Sequence, residues 1–312
     1  MPETVLPDPV EIANAPGHRQ AWAISRAAWR AWIDDHASSM GAALAYYTLF
    51  SCAPLLLIVI SVAGIWFGAD AARGEIVGQI SGLIGVDGAR TIEALIQSVH
   101  QPADGMAATA IGVVLTLVGA TTVFAELQAA LDRIWRAPVR VGASLWMLLR
   151  TRLLSFGLIL GLGFLMVVSL VLGAALAAIQ RWWAPRLTGW EFMLALAHQL
   201  VSFVLITVLF AMIYKLMPRA RIQWRDVAVG ALATSTLFAW GQWMIGLYIG
   251  TSGVSSGFGA AGSLVALLVW VYFSAQIFLL GAEFTRVYAH TLGSCRSQAV
   301  RMSEPPQPDD RV

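Results

Sequence analysis

Between Asp226 and Glu283 the chain carries no Lys, Arg, Asp or Glu. As one helix, Val227 to Ala282 would extend roughly 84 Å at 1.5 Å per residue, against a hydrocarbon layer of ~30 Å in a bilayer. The stretch must therefore fold back once, as two apolar helices joined near its centre. The joint is "GTSGVSSGFGAAG", residues 250–262, in which Gly250, Ser252, Gly253, Ser255, Ser256, Gly257, Gly259 and Gly262 combine bare backbone with small hydroxyls. Water is a poor solvent for such a pair, and the composition agrees: 58% of residues are hydrophobic and 12% charged, where soluble domains carry about 25% charge.

Other uncharged gaps are also long enough to cross. They run from His36 to Ala69, from Gly105 to Ala125, from Leu153 to Gln180 and from Phe192 to Tyr214. The expected fold is all-α: a polytopic membrane protein with six transmembrane helices, at about 40–68, 106–127, 153–180, 192–215, 227–249 and 260–283. Basic residues set the orientation. One side of the spans holds Arg19, Arg26, Arg30, Arg133, Arg136, Arg140, Arg150, Arg152, Lys215, Arg219, Arg221, Arg225, Arg286, Arg296, Arg301 and Arg311; the other holds Arg73, Arg90, Arg181 and Arg186. Both termini are expected in the cytoplasm, with the glycine turn on the outer face. No apolar run suited to a cleavable signal occurs in the first twenty residues, so span one is expected to serve as the insertion signal.

The flanks read differently from the spans. Residues 1–17 and 293–312 are expected to be disordered, the first proline-rich and the second ending in "SEPPQPDDRV". Residues 18–36 suit an amphipathic helix in the interface, with Trp22, Trp29 and Ile33 on one arc and Arg19, Arg26 and Arg30 beside it. Between spans one and two, residues 70–104 hold two apolar stripes, Ile76, Ile80, Leu83 and Ile84, then Ile92, Leu95, Ile96 and Val99, broken by "GVDG". This predicts an outer helical lid, either a solvated cap or a gate. Cys52 and Cys295 fall in span one and the cytoplasmic tail, positions that offer no disulfide framework or metal site.

Polar groups at membrane depth cost enough to need a reason, on the order of 3 kcal/mol for a charge. Glu126 and Glu283 are expected at the cytoplasmic ends of their helices, where the helix dipole already disfavours them. Arg286, three residues after Glu283, together with Arg133 and Arg136, could balance them as structural ion pairs, or the acids could line a polar vestibule. Span one adds Tyr46, Tyr47, Thr48 and Ser51 just before Pro54, whose ring removes a backbone hydrogen bond and predicts a kink. Gln276 is a further buried polar group. These eight residues, Tyr46, Tyr47, Thr48, Ser51, Pro54, Glu126, Gln276 and Glu283, are the candidate pathway. The glycine turn lacks charge to hold it in water, so it either dips back among the helices or joins close-packed helix ends.

Enzyme chemistry finds no support. The five histidines, at 18, 36, 100, 198 and 290, are scattered. No HxH, HExxH, GxSxG or Walker-type glycine loop occurs. No cofactor, bound metal or nucleic-acid partner is expected.

Three blocks together, "MGAALAYYTLFSCAPLLLIVISVAG", "TTVFAELQAALDRIW" and "YIGTSGVSSGFGAAGSLVALLVWVYFSAQIFLLGAEFTRVYA", resemble the YihY/BrkB family of six-span bacterial inner-membrane proteins. The resemblance runs from about residue 24 to about 292. It implies an inner-membrane location and six spans, an association of some members with virulence or serum resistance, and little chemistry. A ribonuclease label once attached to the family is rejected, because the zinc hydrolase that bears that name carries a HxHxDH motif absent here. The sequence therefore predicts a transporter or lipid-handling protein without an ATPase of its own. The rival is a scaffold docking envelope proteins through its lid and basic loops. Membrane lipids are the expected partners in either case.

Overall fold

The computed structural model describes residues 16–68, 122–137, 190–220, 222–251 and 262–295, with positions 70, 73, 74, 77, 78, 93, 157 and 161 between them. Most of the expected outer lid, nearly all of spans two and three, residues 252–261 of the glycine turn and the two outermost termini lie outside the described residues. Six helices form the described part: α1 (Gly17–Asp34), α2 (Ala37–Phe67), α3 (122–134), α4 (Trp190–Leu216), α5 (Trp224–Thr251) and α6 (Gly262–Thr291). Among the described residues there is no strand. Two stretches, Gln199–Leu216 of α4 and Leu264–Thr291 of α6, are long and apolar enough to cross a membrane.

Helix limits differ from the uncharged gaps in one way that matters. The last charge-free residue marks where an apolar run ends, but backbone hydrogen bonding continues wherever the chain still packs. Helix α3 runs eight residues past Glu126, and α6 runs eight past Glu283. Both acids therefore sit about 12 Å inside their helices rather than at the dipole's negative end, which corrects the expectation. Helix α2 is continuous through Pro54. At the glycine turn, Gly250 is already part of α5 and Gly262 opens α6.

Helix α6 is the axis of the assembly, packing on α5, α2 and α1, while α4 packs on α5. With 100° between successive residues, its Gly281 and Thr285 lie on one side and its Gln276, Leu279, Glu283, Arg286 and Val287 on another. The first side meets α5 closely enough that a Cβ on Gly230 would collide with Thr285, and one on Gly281 with Thr234 and the Tyr214 hydroxyl. Tyr214, fully buried, donates from its hydroxyl to the Phe278 carbonyl at 2.7 Å and meets Thr234 Oγ1 at 3.1 Å. One phenol thus ties α4, α5 and α6 together without leaving a buried polar atom unpaired.

The second side of α6 meets the N-terminal helices. Ile24 and Ala28 of α1 pack with Val287, and the small alanines let the helices approach. The opposite arc of α1 leaves Trp22, Trp29 and Ile33 exposed. Helix α5 likewise turns Leu232, Trp240, Trp243, Met244 and Leu247 outward. Apolar faces of this extent are shed into lipid or a partner rather than into water.

Candidate functional site

The polar interior is built where three chain segments converge: the joint between α1 and α2, the end of α3, and the second side of α6. Helix α1 stops at Asp34, with Asp35 N–H bonded to Ala31 O and His36 N–H to Ile33 O. His36 then adopts the left-handed conformation, φ 55°, and α2 begins at the next residue. This two-residue joint turns the chain sharply and sends the Asp35 side chain inward, 4% exposed. Helix α3 ends the same way, with Arg136 at φ 50° and Ala137 N–H closing onto Asp132 O at 2.9 Å. A left-handed residue after a helix is usually Gly; for another residue it costs about 1 kcal/mol or more.

These two are the only non-glycine residues with positive φ among the described ones, and they flank a single ion pair. Arg136 Nη2 reaches Asp35 Oδ1 at 2.6 Å. The guanidinium is half-exposed while the carboxylate is buried, so the bridge runs from the rim inward. Beyond it lies Glu283, wholly buried, with Arg286 Nη2 3.2 Å from its Oε2. The Asp35 carboxyl acts on Glu283 as a neighbouring acid, and the Arg136 charge acts on the same carboxylate. Two acids and two guanidiniums thus share one junction, closed to water except at Arg136.

Several polar atoms there have no hydrogen-bond partner: Asp35 Oδ2, both oxygens of Glu283, and Arg286 Nε. The indole N–H groups of Trp32 and Trp135 on the adjoining segments are unpaired too. Trp135 packs its ring 6.3 Å from that of His290, which continues the polar line of α6 one turn past Arg286. About two turns from Glu283 toward the apolar end, Gln276 donates from Nε2 to Ser38 O at 3.3 Å. That contact requires Gly41, because a Cβ there would overlap the Gln276 amide.

Of the candidate pathway residues, Glu283 and Gln276 share this side of α6 and meet the start of α2. Ser51 is buried in α2, and Tyr47 and Thr48 are half-buried. Tyr46 instead turns outward, 57% exposed, against Phe50 and Tyr47 with ring centroids 4.9 and 5.5 Å away. The Pro54 side chain lies outside the described residues. Glu126 is half-buried on α3, and it is not among the charges acting on Glu283. The residue that sequence reasoning missed is Asp35. Its one signal was position: it is the last charge before the uncharged run that opens span one.

A further ion pair holds the loops nearby. Asp132 accepts from Arg219 N–H at 2.8 Å, with Arg219 Nε 3.5 Å from its other oxygen, and Gln128 Nε2 donates to Met217 O at 3.1 Å. Burial pushes the Asp132 carboxyl above its ordinary value, and the hydrogen bond and charge of Arg219 offset only part of that.

An all-helical bundle with apolar outer faces, inward charges and helices long enough to span is a membrane protein. More particularly, the chain belongs to the family described as Virulence factor BrkB, whose model matches residues 28–304. It is 26% identical over 302 residues to a UPF0761 membrane protein of Stenotrophomonas maltophilia, covering 94% of this chain and 66% of that one. A UPF0761 membrane protein of Pseudomonas paraeruginosa is 28% identical over 279 residues, covering 88% and 62%. One from Psychromonas ingrahamii is 27% identical over 263 residues, covering 82% and 84%. The chain thus spans less than two thirds of the length of the first two relatives. No solved structure matches.

Proposed function

We propose that this chain is a six-span inner-membrane transporter with both termini in the cytoplasm, moving an ion, a small solute or a lipid without an ATPase of its own. One observation carries the reading: four charged side chains meet inside a membrane bundle, and one of them, Glu283, is wholly buried on a helix long enough to span. Ionisable groups at such depth are expensive, and where they persist they mark substrate or ion pathways. A bundle that only had to fold would be served by an apolar seam here, since replacing buried ion pairs with apolar residues is often neutral or stabilising.

Reconstitution in liposomes tests this directly. Flux of ions, solutes or fluorescent lipid above that of empty vesicles is expected, and Glu283→Gln is expected to lower it at least tenfold with insertion unchanged. No flux for any cargo, together with full rescue of a deletion strain by Glu283→Gln, would leave the scaffold as the better account.

A further inference from the structure

The geometry points to a proton-binding site formed by Asp35 and Glu283, in which the two carboxyl groups share one proton. This deepens the transport reading, since it makes the proton the coupling ion, but the site itself can be tested without any transport.

The argument is one of acceptors and donors. Glu283 is wholly buried, and neither of its oxygens accepts a hydrogen bond. Arg286 Nη2 stands 3.2 Å away, close enough for charge attraction, yet its orientation makes no hydrogen bond. The other group that reaches Glu283 is the Asp35 carboxyl, itself an acceptor with Oδ2 unsatisfied. Two ionised carboxylates in contact repel and leave three buried oxygens unpaired. A single proton between them turns that contact into an O–H···O bond and pairs two of the three oxygens, as in other paired carboxyls.

Placement of the cations assigns the proton. Asp35 Oδ1 is already taken by the charge-assisted bond from Arg136 at 2.6 Å, which leaves Oδ2 as the free acceptor. Asp35 Oδ2 then accepts, and Glu283 carries the hydrogen. The charges acting on Glu283 come from the α1–α2 joint (Asp35), the end of α3 (Arg136) and α6 itself (Arg286). His290 continues the same side of α6 but turns its ring to Trp135, with Nδ1 at the Arg286 carbonyl, 2.9 Å away. Helix α5 meets the far side of α6 through Gly230 and Thr234, and its buried Asp226 is held by Ser294 beyond the end of α6. The guanidinium of Arg136 is half-exposed and the carboxyl beyond it is dry, so protons enter and leave by way of Asp35.

Release writes simply: Glu283–COOH gives its proton to Asp35, whose carboxyl passes it to water at the rim. Two bare carboxylates then remain in contact. Their repulsion falls on the joint at His36 and on Arg136, the two left-handed residues.

The test is infrared difference spectroscopy on the full chain in lipid nanodiscs, comparing the carbonyl stretch of a protonated carboxylic acid in H2O and D2O. A deuterium-sensitive acid band at pH 7 is expected in the unaltered protein. It should be lost in Glu283→Gln and shifted in Asp35→Asn, with proton release on alkalinisation falling from one per chain to none in Glu283→Gln. The isosteric variants keep size, and the unaltered protein alone is decisive: no acid band at pH 7 overturns the proposal, whether or not either variant folds. A band that persists unshifted in both variants overturns it as well. Flux without the band would leave transport standing and remove the proton site; the band without flux would do the reverse.

Discussion

Gly281 offers the sharpest test of how the bundle is packed. A Cβ at this position would collide with Thr234 Oγ1 and stand 2.7 Å from both Thr234 Cγ2 and the Tyr214 hydroxyl, distances that side chains do not tolerate. Tyr214 is wholly enclosed, so relief requires moving the phenol away from the Phe278 carbonyl. That forfeits about 1 kcal/mol of hydrogen bonding, and overpacking adds about 1–3 kcal/mol. Better helix propensity returns up to about 1 kcal/mol. Gly281→Ala should therefore destabilise by about 1–3 kcal/mol. Gly246→Ala in α5, where a Cβ meets nothing within 4 Å, should be neutral or stabilising. Thr234→Ala with Tyr214→Phe removes the three atoms that a Gly281 Cβ would meet. In that background Gly281→Ala should cost nothing, giving a coupling above about 1 kcal/mol where independent sites agree within about 0.5. Reversible SDS titration of the micellar protein, read by tryptophan fluorescence, measures all four. Equal cost of Gly281→Ala in the two backgrounds would refute the packing argument.

Two further outcomes follow from the ion pairs. Arg136→Ala should destabilise by about 1–2 kcal/mol, below the 3–5 for fully buried pairs because the guanidinium is half-exposed. Arg136→Gly should cost about 1 kcal/mol less than Arg136→Ala, since glycine accepts the left-handed backbone; unfolding titrations that rank the two the other way would remove the strain argument. For Asp132 the folded carboxyl lies above its ordinary value of 3.8. Its contribution to stability is thus fully present below about 3.8 and lost as pH rises through the folded value. The thermal midpoint of Asp132→Asn relative to the unaltered protein should then be higher above that window than below it. A gap that widens in the opposite direction would mean the Arg219 pairing dominates.

What was legible in the sequence follows from what is local. Charge gaps place the helices α2, α4, α5 and α6, because an apolar run longer than a bilayer crossing leaves few choices. The Glu283–Arg286 pair was legible for the same reason, as three residues apart is a fixed neighbour relation on any helix. Asp35 was not, because it meets Glu283 only through the rotation of α2 about α6 and through a left-handed His36 that no glycine announced. Helix α6 runs past the expected span because hydropathy marks only the apolar stretch, whereas the helix continues where Val287 still finds Ile24 and Ala28.

The two sides of α6 have a consequence for motion. Toward α5 it is fastened by glycines against threonines, a fit that works at one separation only. Toward α1 and α2 it is held by Val287 against Ile24 and Ala28, by Gln276 on Ser38, and by charge, which weakens with distance gradually. If the molecule has a parting line, it runs along the second side: α4, α5 and α6 travel as one body, and α1 and α2 swing as the other. Opening it would bare Asp35 and Glu283 to whatever fills the gap, so the surface that moves and the surface that carries charge are the same.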